Sequence, residues 1–269
     1  MSKLKISIVI PSHNAARFID ETIQSILKQR YPNVECIVVD GGSNDGTLDI
    51  LKRYEGRIRW ISEKDEGQSD AINKGLRLAS GDINAYICAD DIYEAGCFQK
   101  VADFFGKNPH VMWAYGKCRV IDEDGSEIHR PIISYFDSWR RRYSYNRLLM
   151  IDFIPQPAVF WRKELVHKIG LFDINEHLAM DYEYWLRAGA RYDPGFIDDY
   201  LASFRVHPRS KSSMNRLRQA KQALYIATRY ANSPKRRFLV VLQCIAHFSF
   251  ILISRLVSRL RIKRRKPMR

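Results

Sequence analysis

The run Asp82-Ile-Asn-Ala-Tyr-Ile-Cys-Ala-Asp90-Asp91 is an apolar stretch that ends in two adjacent carboxylates. Residues 83–88 read as a buried strand, short, apolar and preceded by the helix-stopping Gly81. Open α/β proteins place their ligands where such strands end, at the carboxyl edge of a parallel sheet. Two carboxylates side by side repel, so the pair calls for a cation. Oxygen donors suit Mg2+ or Mn2+, ions that keep positions open for substrate phosphates. Taken alone, the pair reads equally well as a solvated turn.

Outward from this run the chain alternates strands and helices. Residues 6–11 form a first apolar strand and Ser12-His13-Asn14 the loop after it. Phe18, Ile19, Ile23, Ile26 and Leu27 then share one helix face, and Tyr31-Pro32-Asn33 stops that helix. A second strand over residues 36–39 ends in Asp40. The tight loop 41–46 follows, and Thr47 is placed to cap a helix running through Tyr54. Residues 58–61 predict a third strand, 71–79 a helix, 97–105 a helix and 111–121 a strand that turns at Asp122-Glu-Asp-Gly125 towards Ile128. Further on, a strand is expected through Trp161, helices over 163–169 and 178–188, and an extended stretch over 196–206. Short crossovers between strands mean an α/β fold with a mostly parallel sheet covered on both faces. Residues 139–150, where Trp139, Tyr143 and Tyr145 mix with four arginines, read as a solvated surface helix. A rim that touches an acceptor or an anionic lipid surface is the functional alternative.

The formal net charge of +14 sits in the tail: 18 of the 44 Lys and Arg follow Asp199, and no Asp or Glu does. The first 199 residues are close to neutral. Five cysteines, Cys36, Cys88, Cys97, Cys118 and Cys244, form no C-x-x-C pair, which fits a reduced, cytosolic setting. The apolar run over residues 6–10 is too short for a signal peptide and is closed by Pro11.

Three acidic groups follow strand ends: Asp40, the Glu63/Asp65/Glu66 loop, and Asp90/Asp91. In a parallel sheet all three would line one crevice. Asp40 and Asp65 can each accept a hydrogen bond from a base imide or a ribose hydroxyl. No Gly-x-Gly-x-x-Gly and no Walker loop is present to cradle phosphate, so a metal on Asp90/Asp91 would take that role.

Four segments occur in a telling order: Ser7-Ile-Val-Ile-Pro-Ser-His-Asn14, Val38-Val-Asp-Gly-Gly-Ser-Asn-Asp-Gly-Thr47, Ser62-Glu-Lys-Asp-Glu-Gly-Gln-Ser-Asp-Ala-Ile-Asn-Lys-Gly75 and Ala89-Asp-Asp91. Together they resemble the family 2 inverting glycosyltransferases of GT-A fold. Gln156-Pro157, Gly170-Leu-Phe-Asp173, Met180-Asp-Tyr-Glu-Tyr-Trp-Leu-Arg187 and Arg205-Val-His-Pro208 resemble the acceptor half of that family. The resemblance implies a Rossmann-like sheet whose residues 1–120 bind a nucleotide-sugar, with 121–212 as the acceptor-binding and catalytic half and 213–269 as a basic helical tail. It implies that Pro11 and Ser12 border the base, that Asp40 and Asp65 hold the uracil or ribose end, and that Asp90 faces the ribose or sugar. Asp91 would be the main ligand of Mg2+ or Mn2+, with His207 and Arg205 reaching the metal or the diphosphate. Asp181 would be the catalytic base, in a chain that has Met180-Asp181 where many relatives have Glu-Asp, and Glu183 is its rival. No Gln-x-x-Arg-Trp signature lies near Trp185, which points to single-sugar addition.

Residues 238–254 carry no formal charge and have basic flanks at both ends. That is short of the ~20 apolar residues of a span, and two basic flanks oppose a single crossing. The tail is therefore expected to lie in the interface of an anionic leaflet, as a peripheral anchor on the cytoplasmic face of the cell membrane; a core helix packed on the enzyme is the alternative. Expected partners are a nucleotide-sugar donor, a lipid-linked or saccharide acceptor and the membrane surface, in surface polysaccharide or lipopolysaccharide assembly. A sugar-nucleotidyltransferase would need a Gly-rich basic loop after the first strand, which Ser12-His13-Asn14 does not supply. Nucleic-acid binding is not expected, because the basic surplus flanks an apolar run and is not interleaved with stacking aromatics.

Overall fold

The computed structural model describes residues 4–234 and 236–242. The strands are β1 (Ile6–Ser12), β2 (Val34–Asp40), β3 (Arg59–Ser62), β4 (Ile83–Tyr86), β5 (Ile92–Tyr93), β6 (Trp113–Ile121), β7 (Val159–Arg162) and β8 (Gly195–Arg205). They form one sheet in the order β3-β2-β1-β4-β7-β6-β8-β5. β1 to β4 pair in parallel. β7 then enters antiparallel between β4 and β6, β8 runs parallel to β6, and β5 closes the edge antiparallel to β8. The parallel portion is thus the parallel sheet expected from the alternating pattern.

The apolar runs of β1 and β2 are buried on both faces, because alternate side chains enter different cores. Ile6, Ile8 and Ile10 join Cys36 and Val38 beneath α1 (Ile19–Leu27) and α4 (Cys97–Lys107). Val9 packs on the opposite face with Ile72 and Leu76 of α3 (Gln68–Leu78). That second core is aromatic. Trp113 stacks on Trp185 of α8 (Met180–Gly189) at 5.6 Å between ring centroids, and Trp161 fits between Tyr86, Phe172 and Tyr184. α6 (Tyr145–Met150) and α9 (Lys211–Tyr230) cover it, with Leu148, Leu149, Ile226 and Ala227 buried.

Several local expectations shift. The helix after the second strand, α2 (Thr47–Lys52), is capped by Gly46 at φ +95°, while Thr47 is its first residue and donates its N–H to Asp45 Oδ1 at 3.1 Å. The turn at 122–125 forms, with Asp122 N–H on the Ser126 carbonyl and Ile128 N–H on Val120 O. It leads into α5 (Arg130–Arg140), a helix the sequence pattern did not show. Residues 139–150 are not one helix: α5 ends at Arg140, Ser144 is extended, and α6 begins at Tyr145 and buries its leucines. The helix α7 (Lys163–Ile169) falls where expected. The four described cysteines are unpaired. Among the described residues no helix is long and apolar enough to cross a membrane, and most of the apolar run expected to anchor the tail, from residue 243 onwards, lies outside them.

Trp185 is wholly buried against four aromatic neighbours, Trp113, Trp161, Phe172 and Tyr184. Trp185→Ala is expected to destabilise the fold by about 3–5 kcal/mol, read from urea denaturation midpoints at unchanged m-value.

Candidate active site

The loops leaving β1, β2, β3 and β4 open on one cleft of about 1300 Å3, closed on its other side by the start of α8 and by the segment between β8 and α9. Pro11, Ser12, Asp65, Asp90, Asp181 and His207 all line it. Asp91, Asp40 and Arg205 do not. They are fully or almost fully buried behind the wall.

The acid pair is held by the chain itself. Asp91 Oδ1 accepts the Arg205 N–H at 2.8 Å, and its carbonyl accepts the Thr22 hydroxyl at 2.8 Å. Its Oδ2 is buried without a partner among the described residues. Burial, and then the charge of Asp90, push the Asp91 carboxyl well above the usual carboxylate range, while the Arg205 N–H and guanidinium pull it back. Asp90 keeps some exposure and lies 3.0 Å from His207 Nε2. The His207 ring packs on Phe18, and its Nδ1 is also buried and unpartnered among the described residues.

Arg205 was expected on the donor, but its guanidinium is already taken up within the wall. It donates to the Asp90 carbonyl at 2.8 Å, to the carbonyls of Asp122 and Glu123, and to Glu21 at 2.6 Å. It is a clamp that fixes the backbone carrying the pair. Asp40, expected at the base or ribose, is likewise taken up by the protein. Its carboxylate accepts the N–H groups of Gly42 and Ser43 and the hydroxyls of Ser43 and Ser62, so it closes its own loop and leaves no oxygen facing the cleft. Asp65 does reach the cleft, and Oδ1 accepts the Gly67 N–H. A Cβ on Gly41 would lie 2.4 Å from Asp65 Oδ2, so a larger residue there would push the Asp65 carboxylate out of its present position. The Ser12 hydroxyl is buried and has no partner among the described residues, a group left for a ligand.

A divalent cation fits this donor set. Cys88 Sγ and one oxygen each of Asp90 and Asp91 lie within 4.8 Å of one another, the Asp91 Oδ2 atom is orphaned, and the oxygens are hard donors. Burial, then Asp91, Asp90 and Asp181, hold the Cys88 thiol well above its ordinary value, so it stays protonated and is the weaker candidate ligand. His207 stands beside Asp90 as the expected nitrogen donor.

Asp181 is in the first turn of α8, where its Oδ1 accepts the Tyr182 N–H at 2.9 Å. Its placement depends on both halves of the chain. Asn73 of α3 holds Phe172 by two hydrogen bonds, and Ser69 donates to the Glu176 carbonyl. From α9, Gln222 Oε1 accepts the N–H groups of Leu178 and Ala179 just ahead of the helix. Burial raises the Asp181 carboxyl, while main-chain N–H groups and the Lys211 ammonium lower it again. Glu183, the rival base, is buried against Arg187 at 2.8 Å and bonded by the Tyr230 hydroxyl, away from the cleft. Cys88, Lys211 and Gln222 carry weight here that the sequence reading missed. Cys88 was visible two residues before the pair, whereas the other two are set by the path of α9.

A twisted sheet with acids gathered at the ends of its parallel strands is the architecture of the GT-A glycosyltransferases. Solved structures agree: S. aureus TarS in complex with UDP-GlcNAc superposes with a TM-score of 0.68 over 92% of this chain and 73% of that one, at 20% identity. The mannosyltransferase PcManGT from Pyrobaculum calidifontis, in complex with GDP-Man and Mn2+, does so with a TM-score of 0.68 over 99% of this chain and 82% of that one, also at 20% identity. The chain belongs to glycosyl transferase family 2, whose model matches residues 7–170, and it is an enzyme of glycosyl transfer. An uncharacterized glycosyltransferase of Mycobacterium tuberculosis is 32% identical over 205 residues, 74% of each chain. A PGL/p-HBAD biosynthesis glycosyltransferase of Mycobacterium bovis is 29% identical over 200 residues, 72% of this chain and 73% of its own.

Arg205→Met removes four hydrogen bonds, taking this donor from the carbonyls of Asp90, Asp122 and Glu123 and from Glu21, although Asp122 O keeps the Gly125 N–H. It is expected to cost about 2–4 kcal/mol in chemical denaturation, well beyond the effect of an ordinary surface substitution.

Proposed function

We propose that the chain is an inverting, metal-dependent glycosyltransferase that moves one sugar from a nucleotide-sugar, UDP-linked as the first donor to test, to an acceptor hydroxyl in surface polysaccharide or lipopolysaccharide assembly. The observation that carries this reading is that Asp90 and Asp181 open on the same cleft, together with Pro11, Ser12 and Asp65. The neighbouring structures that hold UDP-GlcNAc, or GDP-Man with Mn2+, support a nucleotide-sugar and a divalent cation. Family membership favours glycosyl transfer over nucleotidyl transfer and over nucleic-acid binding.

In this reading the nucleoside end rests on Pro11, the free Ser12 hydroxyl and Asp65, while Asp40 shapes the loop beneath. Asp90 and Asp91, with His207 alongside, would hold the cation, which when bound supplies positive charge against the departing diphosphate. Asp181 stands at the first turn of α8, across from the pair. Its ionised carboxylate takes the proton of the acceptor hydroxyl as that oxygen bonds to the anomeric carbon. The bond from that carbon to the diphosphate oxygen breaks, and the nucleoside diphosphate leaves with the electron pair. Attack from the face opposite the leaving group inverts the anomeric centre. The partial burial that raises Asp181 suits a base, since a stronger base drives proton removal harder.

Asp181→Asn is expected to lower kcat by about 10²–10⁴ while calorimetric affinity for the donor stays within a few-fold. Undiminished turnover would overturn the assignment. Because Asp181 must be ionised and its pKa is raised, kcat is expected to fall as pH drops through a value above the ordinary aspartate range, and this limb should vanish from the residual rate of the asparagine variant. Chelation with EDTA is expected to abolish transfer, with Mn2+ or Mg2+ restoring it; full activity after dialysis against chelator contradicts metal dependence.

A further inference from the structure

Eight large apolar side chains are prominently exposed among the described residues, and seven of them, Met214, Leu217, Tyr225, Phe238, Leu239, Val241 and Leu242, fall after residue 213. Three of the seven belong to α9. Beyond a kink at Asn215, at 100° per residue, Leu217, Arg218, Lys221 and Tyr225 share one side of that helix, apolar and cationic groups mixed along it. The opposite side buries Ile226 and Ala227 against the aromatic core. Arg218 and Lys221 have no acidic partner among the described residues, and no Asp or Glu occurs anywhere after Asp199. A helix that shows water this mixture, with no acid to balance it, matches the chemistry of a lipid headgroup boundary: anions outside, hydrocarbon just below. A solvated helix would not concentrate the exposed apolar surface of the chain in this way.

The position of the stripe adds meaning. Met214 and Gln219 of the same helix line the cleft, and Gln222 holds the turn ahead of Asp181. We propose that the exposed side of α9, continued by the helical residues 236–242, docks the enzyme on an anionic lipid bilayer beside the mouth of the cleft, so that the acceptor is a lipid-linked alcohol presented from that surface. The acceptor clause rests on the glycosyl-transfer reading above; the docking itself does not.

The test is co-sedimentation of the full chain with vesicles of phosphatidylglycerol and phosphatidylcholine, compared with vesicles of phosphatidylcholine alone, which needs no turnover and so succeeds or fails independently of the proposed reaction. The parent is expected to bind only the anionic vesicles and to be released by salt. Arg218→Gln with Lys221→Gln, and separately Leu217→Ser with Tyr225→Ser, are each expected to weaken vesicle partitioning by roughly tenfold or more, because each cation and each inserted apolar group contributes to the partition energy. Circular dichroism and donor hydrolysis without acceptor should remain at parental levels in both, since none of these four side chains lines the cleft. Three results would overturn the proposal: a parent that ignores anionic vesicles, variants that bind them as well as the parent, or light scattering that shows a dimeric parent and monomeric variants, in which case a second copy covers this face.

Discussion

Two carboxyl groups forced together just beyond β4 are the constraint around which this molecule is built. Asp91 is fully buried and one of its oxygens has no partner among the described residues, an arrangement that costs free energy in the absence of a compensating charge. The chain nevertheless fixes it firmly. Arg205, from the far end of β8, ties the backbone of Asp90 to that of Asp122 and Glu123, and its own N–H meets Asp91. The parallel half of the sheet and its antiparallel extension are therefore tied together at the acid pair as well as through the β4–β7 ladder.

The second carboxylate system is placed by a separate set of contacts. Asn73 and Ser69 reach from helix α3 to the loop ahead of α8, and Gln222 reaches from α9. Asp181 is thereby referenced to the same scaffold as Asp90 without touching it. Electrostatics links the two ends, since the Cys88 thiol between them feels Asp91, Asp90 and Asp181 together. Asp152 lies close enough to interact with Asp181, and burial, then the Asp181 charge, push its carboxyl well above the usual carboxylate range. A site with this many carboxyl groups and with Lys211 and His207 at its border is suited to a bound cation and to a substrate that carries phosphate.

Much of this was legible in the chain because the relevant signals are local. The apolar runs of β1, β2 and β4 each end in, or just before, a polar loop, and a parallel sheet brings such loops to one edge. Where sequence reading went astray, the deciding contact was not local, or the local turn chemistry was outweighed by analogy. Asp40 looked free to bind a ligand, yet the Gly-Gly-Ser that follows it supplies the N–H groups that consume it, a turn pattern visible in the sequence. Arg205 is 115 positions from the carbonyl it holds, and nothing in its neighbourhood announces that. The insertion of β7 between β4 and β6, and the break at Ser144 that separates α5 from α6, depend on packing against Trp113 and Tyr182, which no window of sequence contains.

The proposed chemistry depends most on a cation shared by Asp90 and Asp91. Electron paramagnetic resonance of Mn2+ titrated into the protein with UDP present addresses it directly, with Asp91→Asn as the comparison because that change keeps the shape and deletes the charge. A stoichiometric bound-Mn2+ signal in the parent that is lost in the variant is the result the account predicts. Equal Mn2+ affinity in the two proteins, or none in the parent, would contradict it.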